Sequence, residues 1–147
     1  MKSLPLVLAA GVLLGLTGIV CARCVRIWSY QELLDKSDLV VIGTATTTNN
    51  TKEHIQLPGF IGQLVLGVET KFAVSAVLKG NQGTNDLILH HYQADDAAVP
   101  NGPDFVSFDP AKKRTFLLFL VREPDGRYAP AVGQADPGLA IRVLEGL

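Results

Sequence analysis

Val68, Thr70, Phe72 and Val74 alternate with Glu69, Lys71, Ala73 and Ser75 along "LVLGVETKFAVSAVLKG", a two-residue period that predicts a long strand with one wet face. Upstream, the β-branched run "DLVVIGTATTT" predicts a buried strand from Leu39 to about Thr47, with Gly43 marking a bulge or bend. The polar "NNTKEHIQLPGFIGQ" between them reads as a long hairpin connection. Downstream, "DLILHHYQ" predicts a strand with Leu87, Leu89 and His91 on one face and Ile88, His90 and Tyr92 on the other. "ADDAAVPNGPD" has no periodicity and predicts a surface loop of about eleven residues. "FVSF" is a short strand candidate before the basic turn "DPAKKR", and "TFLLFLVRE" reads as a fully buried strand. "EPDGRY" holds an Asp-Gly pair between apolar segments, a strong hairpin signal. Its return strand is "RYAPAVG", where Pro130 points to an edge, and "LAIRVLEG" closes the chain as a short strand or helix.

One helix precedes these strands. In "SYQELLDKSD", Ser29 and Glu32 have the spacing of a capping box. Leu33 and Leu34 supply the apolar side, and Trp28 stands where it can staple onto Leu33. Six or so short strands with a single short N-terminal helix place the chain in the mainly β class. Without helical crossovers to join parallel strands, the expectation is a small antiparallel OB-like barrel, which leaves few edges unprotected.

Length changes this picture little: 147 residues suit one domain, even after subtraction of a leader. The first residues do matter. From Leu4 to Val20 no charged side chain occurs, after a start that carries Lys2, and this is the pattern of a signal peptide. A spanning helix needs ~20 apolar residues, and Pro5 with several Gly and Thr positions interrupts this run. Val20 and Ala22 fit the two subsites before a cut, which predicts a signal peptide over residues 1–22 and one domain over 23–147. An uncleaved membrane anchor is the alternative, and it is the only membrane association expected. The protein is accordingly expected to be exported, periplasmic or extracellular.

That cut runs through the only Cys-x-x-Cys pair, Cys21 and Cys24, so a redox or metal motif on the folded domain is disfavoured. Cleavage after Gly18 would instead retain both cysteines. Val20 before Cys21 and Arg23 before Cys24 disfavour lipid attachment, which leaves Cys24 as a candidate for pairing with another molecule. Asn49 heads an Asn-x-Thr sequon. A charged fraction of 18% and a net charge of −1 supply no bulk attraction for nucleic acid.

The order of segments resembles the netrin-type module, whose members include the tissue inhibitors of metalloproteinases. The matching stretches are Cys24, "SYQELLDKSDLVVIGTAT", "KFAVSAVLKG" and "RTFLLFLVREPDGRY". The resemblance implies an OB-like barrel. It does not imply protease inhibition, because those inhibitors chelate zinc through a free N-terminal cysteine and carry several disulfides. Here Arg23 precedes Cys24 and partner cysteines are missing. The chain is also similar to uncharacterised exported bacterial proteins, from which no activity follows.

"HHYQADD" is the densest set of potential ligands and acid/base groups, with His90, His91, Tyr92, Asp95 and Asp96. Neighbouring residues on a strand face opposite ways, so His90 and His91 cannot share one ion without a bulge. A metal site would take one of them, an acid from Asp95 or Asp96, and a third ligand such as His54. The simpler reading packs one histidine against the core and leaves the other solvated. Serine chemistry has no nucleophile-elbow pattern, and Cys24 at an exposed terminus excludes little water. The basic "AKKR" reads as a solvated turn, the phenylalanines as core, and "KGNQGTND" as a hairpin. The resulting expectation is a non-catalytic binding or interaction module that needs no cofactor, with another protein or an envelope component as partner. The alternatives are a metal-dependent hydrolase centred on His90 or His91, and an envelope structural protein.

Overall fold

The structure is a computed structural model that describes residues 24–83, 85–95 and 101–144. The leader, Cys21 and Asp96 lie outside them. Among the described residues no helix is long and apolar enough to cross a membrane.

The capping box forms as its spacing requires. The Ser29 hydroxyl accepts from the Glu32 amide at 3.2 Å and the Glu32 carboxylate accepts from the Ser29 amide at 2.9 Å, starting α1 (Tyr30–Lys36). That amide, first among its partners, holds the Glu32 carboxyl below its ordinary range. Leu33 is buried with Val40 and Phe119, and Trp28 packs on the same cluster. Leu34, expected beside it, stays at the surface.

Six strands follow: β1 (Leu39–Gln56), β2 (Leu64–Lys79), β3 (Asp86–Ala94), β4 (Thr115–Arg122), β5 (Tyr128–Pro130) and β6 (Ile141–Leu144). They form one sheet in the order β1-β2-β3-β5-β4-β6, and β1 also pairs with β4. Five strands therefore return on themselves as a ring, and β6 continues beyond β5 along the same edge of β4, with Ile141 in the core. The mainly β class expected from the patterning holds, and so does the short N-terminal helix. One pairing departs from the all-antiparallel expectation: β3 and β5 are parallel, joined at Leu89 and Tyr128. No helix is needed for this crossover, because the long loop and β4 together carry the chain back across the ring.

β1 runs past Thr47 to Gln56, so the long connection expected there shrinks to residues 57–63. Its polar stretch pairs with β2 and shows exposed side chains, which made a strand look like a loop. "FVSF" forms no strand; Phe108 instead enters the ring as coil. β5 lies between β3 and β4 but meets β3 only at Tyr128, so Pro130 pairs on the β4 side alone, as a proline in a strand requires. The Asp-Gly hairpin joins β4 and β5 as expected, with Arg122 opposite Tyr128.

Inside the ring, Leu39, Val41, Phe72, Leu87, Leu89, Phe116, Leu118 and Leu120 form the core. Phe108 meets Phe72 at 5.0 Å and Phe116 at 5.1 Å, both near edge-on, the arrangement that aromatic quadrupoles favour.

Candidate functional site

The pleat of β3 sends His91 inward with Leu87 and Leu89, and His90 outward beside Tyr92, as the spacing predicts. The simpler expectation for the pair is corrected in one respect: neither histidine is solvated, at 3% exposure for His90 and 2% for His91.

His91 lies under Phe108, ring to ring at 5.1 Å, with Nε2 2.9 Å from the Thr70 hydroxyl. Burial, reinforced by the neighbouring His90, pulls its pKa down to about 4. The Tyr92 backbone, a larger influence than His90, and that of Val106 pull the other way, although no contact to Nδ1 has hydrogen-bond geometry. A neutral imidazole in an aromatic core fills space and holds Thr70; it has no route to a substrate.

His90 is held on the outer face of β2 and β3 by groups from three separate segments. Its Nδ1 is 2.8 Å from Glu123 at the end of β4. Its Nε2 is 3.0 Å from Glu53 of β1, an ion-pair distance at an angle too bent for a hydrogen bond. Tyr92 donates its hydroxyl to the other oxygen of Glu53 at 2.6 Å and sets its ring 5.0 Å from that of His90. Burial and this bond to Glu53 raise the Tyr92 pKa well above the tyrosine range. Arg127, in the β4–β5 turn, bonds Asp125 at 2.7 Å and Glu69 at 3.0 Å, and lies 3.8 Å from Glu123. Burial opposes the Arg127 charge, but these carboxylates outweigh it and raise its pKa. Asp125 accepts from the Arg127 amide, which lowers its own.

Sequence reading missed Glu53 and Glu123, and two local features place them. Between Asn50 and His54 β1 carries three residues where β2 has only Gly67 between Val68 and Leu66, so the bulge pushes Glu53 toward His90. A Cβ on Gly67 would stand 2.5 Å from the Thr51 hydroxyl and 2.9 Å from the Glu53 Cβ. Glycine is what admits the bulge, and a glycine inside an alternating strand was the available signal. The second feature is the Asp-Gly hairpin, whose tight turn returns Arg127 over Glu123.

Of the candidate metal ligands, Asp96 lies outside the described residues, and the structure brings together only His54 and Asp95. His90 and His91 face opposite sides, and Asp95 pairs with His54 at 2.5 Å instead of either. Among the described residues no group of three or more His, Cys, Asp or Glu is arranged to hold a metal ion. Cys24 is exposed and lines a small pocket with Trp28 and Phe60.

Beside the His90 network lies a cleft of about 530 Å³, between the β2–β3 loop and the β4–β5 turn, lined by Lys71, Gln82, Ile88, Arg122, Arg127 and Tyr128. Lys71 is paired with Asp86 at 2.8 Å, and Tyr128 donates across the cleft to Gln82 at 3.2 Å. Gln82 donates to the Asp86 carbonyl and Gln134 to the His90 carbonyl, so side-chain amides occupy β3 on the side where β5 is short. The floor carries Ile88, exposed by 42%. Neither protein-family models nor curated protein sequences match this chain.

Proposed function

We propose that the chain is an exported, OB-like β-barrel module that binds another protein or an envelope component through the cleft beside His90, without catalysis of its own. The barrel reading is supported by the closed strand order β1-β2-β3-β5-β4 and the cover of α1 at one side. Modules of that type bind ligands on the face of their second and third strands, between the β1–β2 and β4–β5 loops. The His90 network occupies that face here, with Arg127 and Asp125 of the β4–β5 turn in the cleft wall.

The observation that carries the reading is the clamp on His90. A general base needs a free nitrogen within reach of the substrate proton. Both nitrogens of His90 face carboxylates, and its side chain is almost wholly buried. The imidazole thus fixes the binding face rather than serving chemistry on it. Export follows from the apolar leader, and the charges of both signs in the cleft suit a polar partner with an apolar group for Ile88.

A photo-crosslinking residue at Ile88, with one at exposed Leu78 for comparison, tests this in exported protein. Crosslinks to one partner at position 88, lost in Arg127→Ala, are the expected result. Turnover of ester, peptide or phosphodiester substrates that disappears in His90→Ala would overturn it.

A further inference from the structure

Among the described residues β6 pairs with β4 alone, and its ladder tells which of its backbone groups remain open. Phe119 donates to the Ala140 carbonyl at 2.8 Å, and hydrogen-bonded positions recur at every second residue of an antiparallel pair. Arg142, opposite Leu117, and Leu144, opposite Thr115, therefore turn their amides and carbonyls to β4. Ile141 and Val143 turn theirs away from it. No other segment among the described residues bonds to those outward groups. Unpaired amides and carbonyls along a strand are a template for one more strand.

A pocket of about 200 Å³ opens between β6 and the coil that carries Phe108, lined by Phe108, Phe116 and Val143 together with Lys112 and Arg114. Val143 is 40% exposed there. The basic turn beside it is held in place. The Asp109 carboxylate accepts from the Ala111 amide at 3.0 Å, and the Lys112 amide donates to the Asp109 carbonyl at 3.1 Å. Of Lys112, Lys113, Arg114 and Arg142, only Lys112 has a carboxylate within ion-pair distance among the described residues, Asp109 at 3.7 Å. The Nε of Arg142, on the other face of β6, is buried with no hydrogen-bond partner among them. Positive charge thus gathers along this edge in a chain whose net charge is −1.

We propose that the β6 edge binds an acidic, extended segment of a partner protein by strand addition. Main-chain bonds to Val143 and Ile141 hold the segment, and the pocket takes the apolar side chain that comes to stand next to Val143. Carboxylates on the segment meet Lys112, Lys113, Arg114 and Arg142, which sets both its charge and its position. Lysine or proline on an edge strand guards it against pairing. β6 carries neither, and the lysines stand instead in the turn beside the pocket. This edge shares no lining residue with the cleft beside His90, so the two sites can be tested apart.

The probe is a fluorescein-labelled synthetic peptide in which glutamate alternates with valine and phenylalanine. It is titrated by fluorescence polarisation with protein purified from cells that express the full chain. Saturable binding is expected, weakened by about tenfold or more when the peptide's backbone amides are N-methylated and can no longer donate to β6. Lys112→Glu with Arg114→Glu is expected to weaken it by a similar factor, and so is Val143→Pro, which removes an outward amide while sparing the ladder to β4. In amide NMR spectra the bound peptide is expected to shift Val143 and leave Ile88 of the cleft unmoved. Equal affinity for the peptide and its N-methylated form would overturn the proposal, reducing the site to a general attraction for anions. So would the absence of saturable binding, which would make the basic turn a guard of the edge, or shifts at Ile88 without Val143. A dimer that forms without peptide and is lost in Val143→Pro would assign the edge to a second copy of the chain, and would overturn it as well.

Discussion

Acidification perturbs His91 in a way that can be worked through. The ring is buried in the core, touches Phe108 and holds Thr70, and the nearest titratable neighbour is His90 on the same strand. Its pKa falls from 6.5 to about 4 on folding, so between those values the unfolded chain binds the proton that the folded chain refuses. By linkage, stability rises with pH wherever the unfolded state holds more protons. The contribution is thus complete above pH 6.5 and lost as pH falls toward 4. At about 1.4 kcal/mol per pH unit the full loss is about 3 kcal/mol, with about 2.4 kcal/mol of it between pH 7 and pH 4.5. Urea unfolding followed by far-UV circular dichroism at several pH values measures it. Carboxylates titrate in the same range, so the informative quantity is the difference between wild type and His91→Gln, which keeps a partner for Thr70. Wild type is expected to lose about 2 kcal/mol more than the variant over that span. Parallel pH profiles would refute the reasoning and show that His91 either titrates normally or is solvated.

Gly67→Ala is expected to destabilise the fold by about 1–3 kcal/mol, because the new Cβ collides with Thr51 and Glu53. The His90 imidazole resonances should move with it in a nitrogen-detected NMR spectrum, whereas an unchanged spectrum would mean that the bulge does not position Glu53. Phe108→Ala, measured by urea unfolding, should cost about 3–5 kcal/mol, as expected for removing an aromatic ring from a packed core. A loss under ~1 kcal/mol would show that the coil segment around it is not docked in solution. Glu123→Ala removes the charged hydrogen bond to His90 and should lower stability by about 1.5–3 kcal/mol in the same assay. Identical unfolding curves would show that the clamp exerts no hold.

The parts of the fold legible from sequence are those governed by neighbours in the chain. The alternation in β2, the Ser29–Glu32 cap and the Asp125–Gly126 turn each depend on contacts within a few residues, and each is found where the pattern places it. The outer half of β1 was illegible because its residues are polar for reasons outside the segment: Asn49, Asn50 and His54 pair with β2 while showing their side chains to solvent, and Glu53 in the bulge turns to His90. The same division runs through the site. The opposite orientations of His90 and His91 follow from the pleat, but the carboxylates that hold His90 are remote in sequence. The nearer acid, Asp95, pairs with His54 instead. Burial of both histidines likewise depends on Glu53, Glu123 and Phe108, none of which is adjacent to them in the chain.

The two glutamines that donate to β3 carbonyls bear on how this chain avoids its own kind. β5 meets β3 at a single position, so the Asp86 and His90 carbonyls would otherwise stand ready for a strand from another molecule. Gln82 and Gln134 occupy them with side-chain amides. Edge strands left open recruit further chains and seed aggregates, and covering the acceptors is one way natural sheets prevent it. The narrowest seam of the ring is thereby closed to strand exchange, which matters most for a newly made chain folding in a crowd of identical copies.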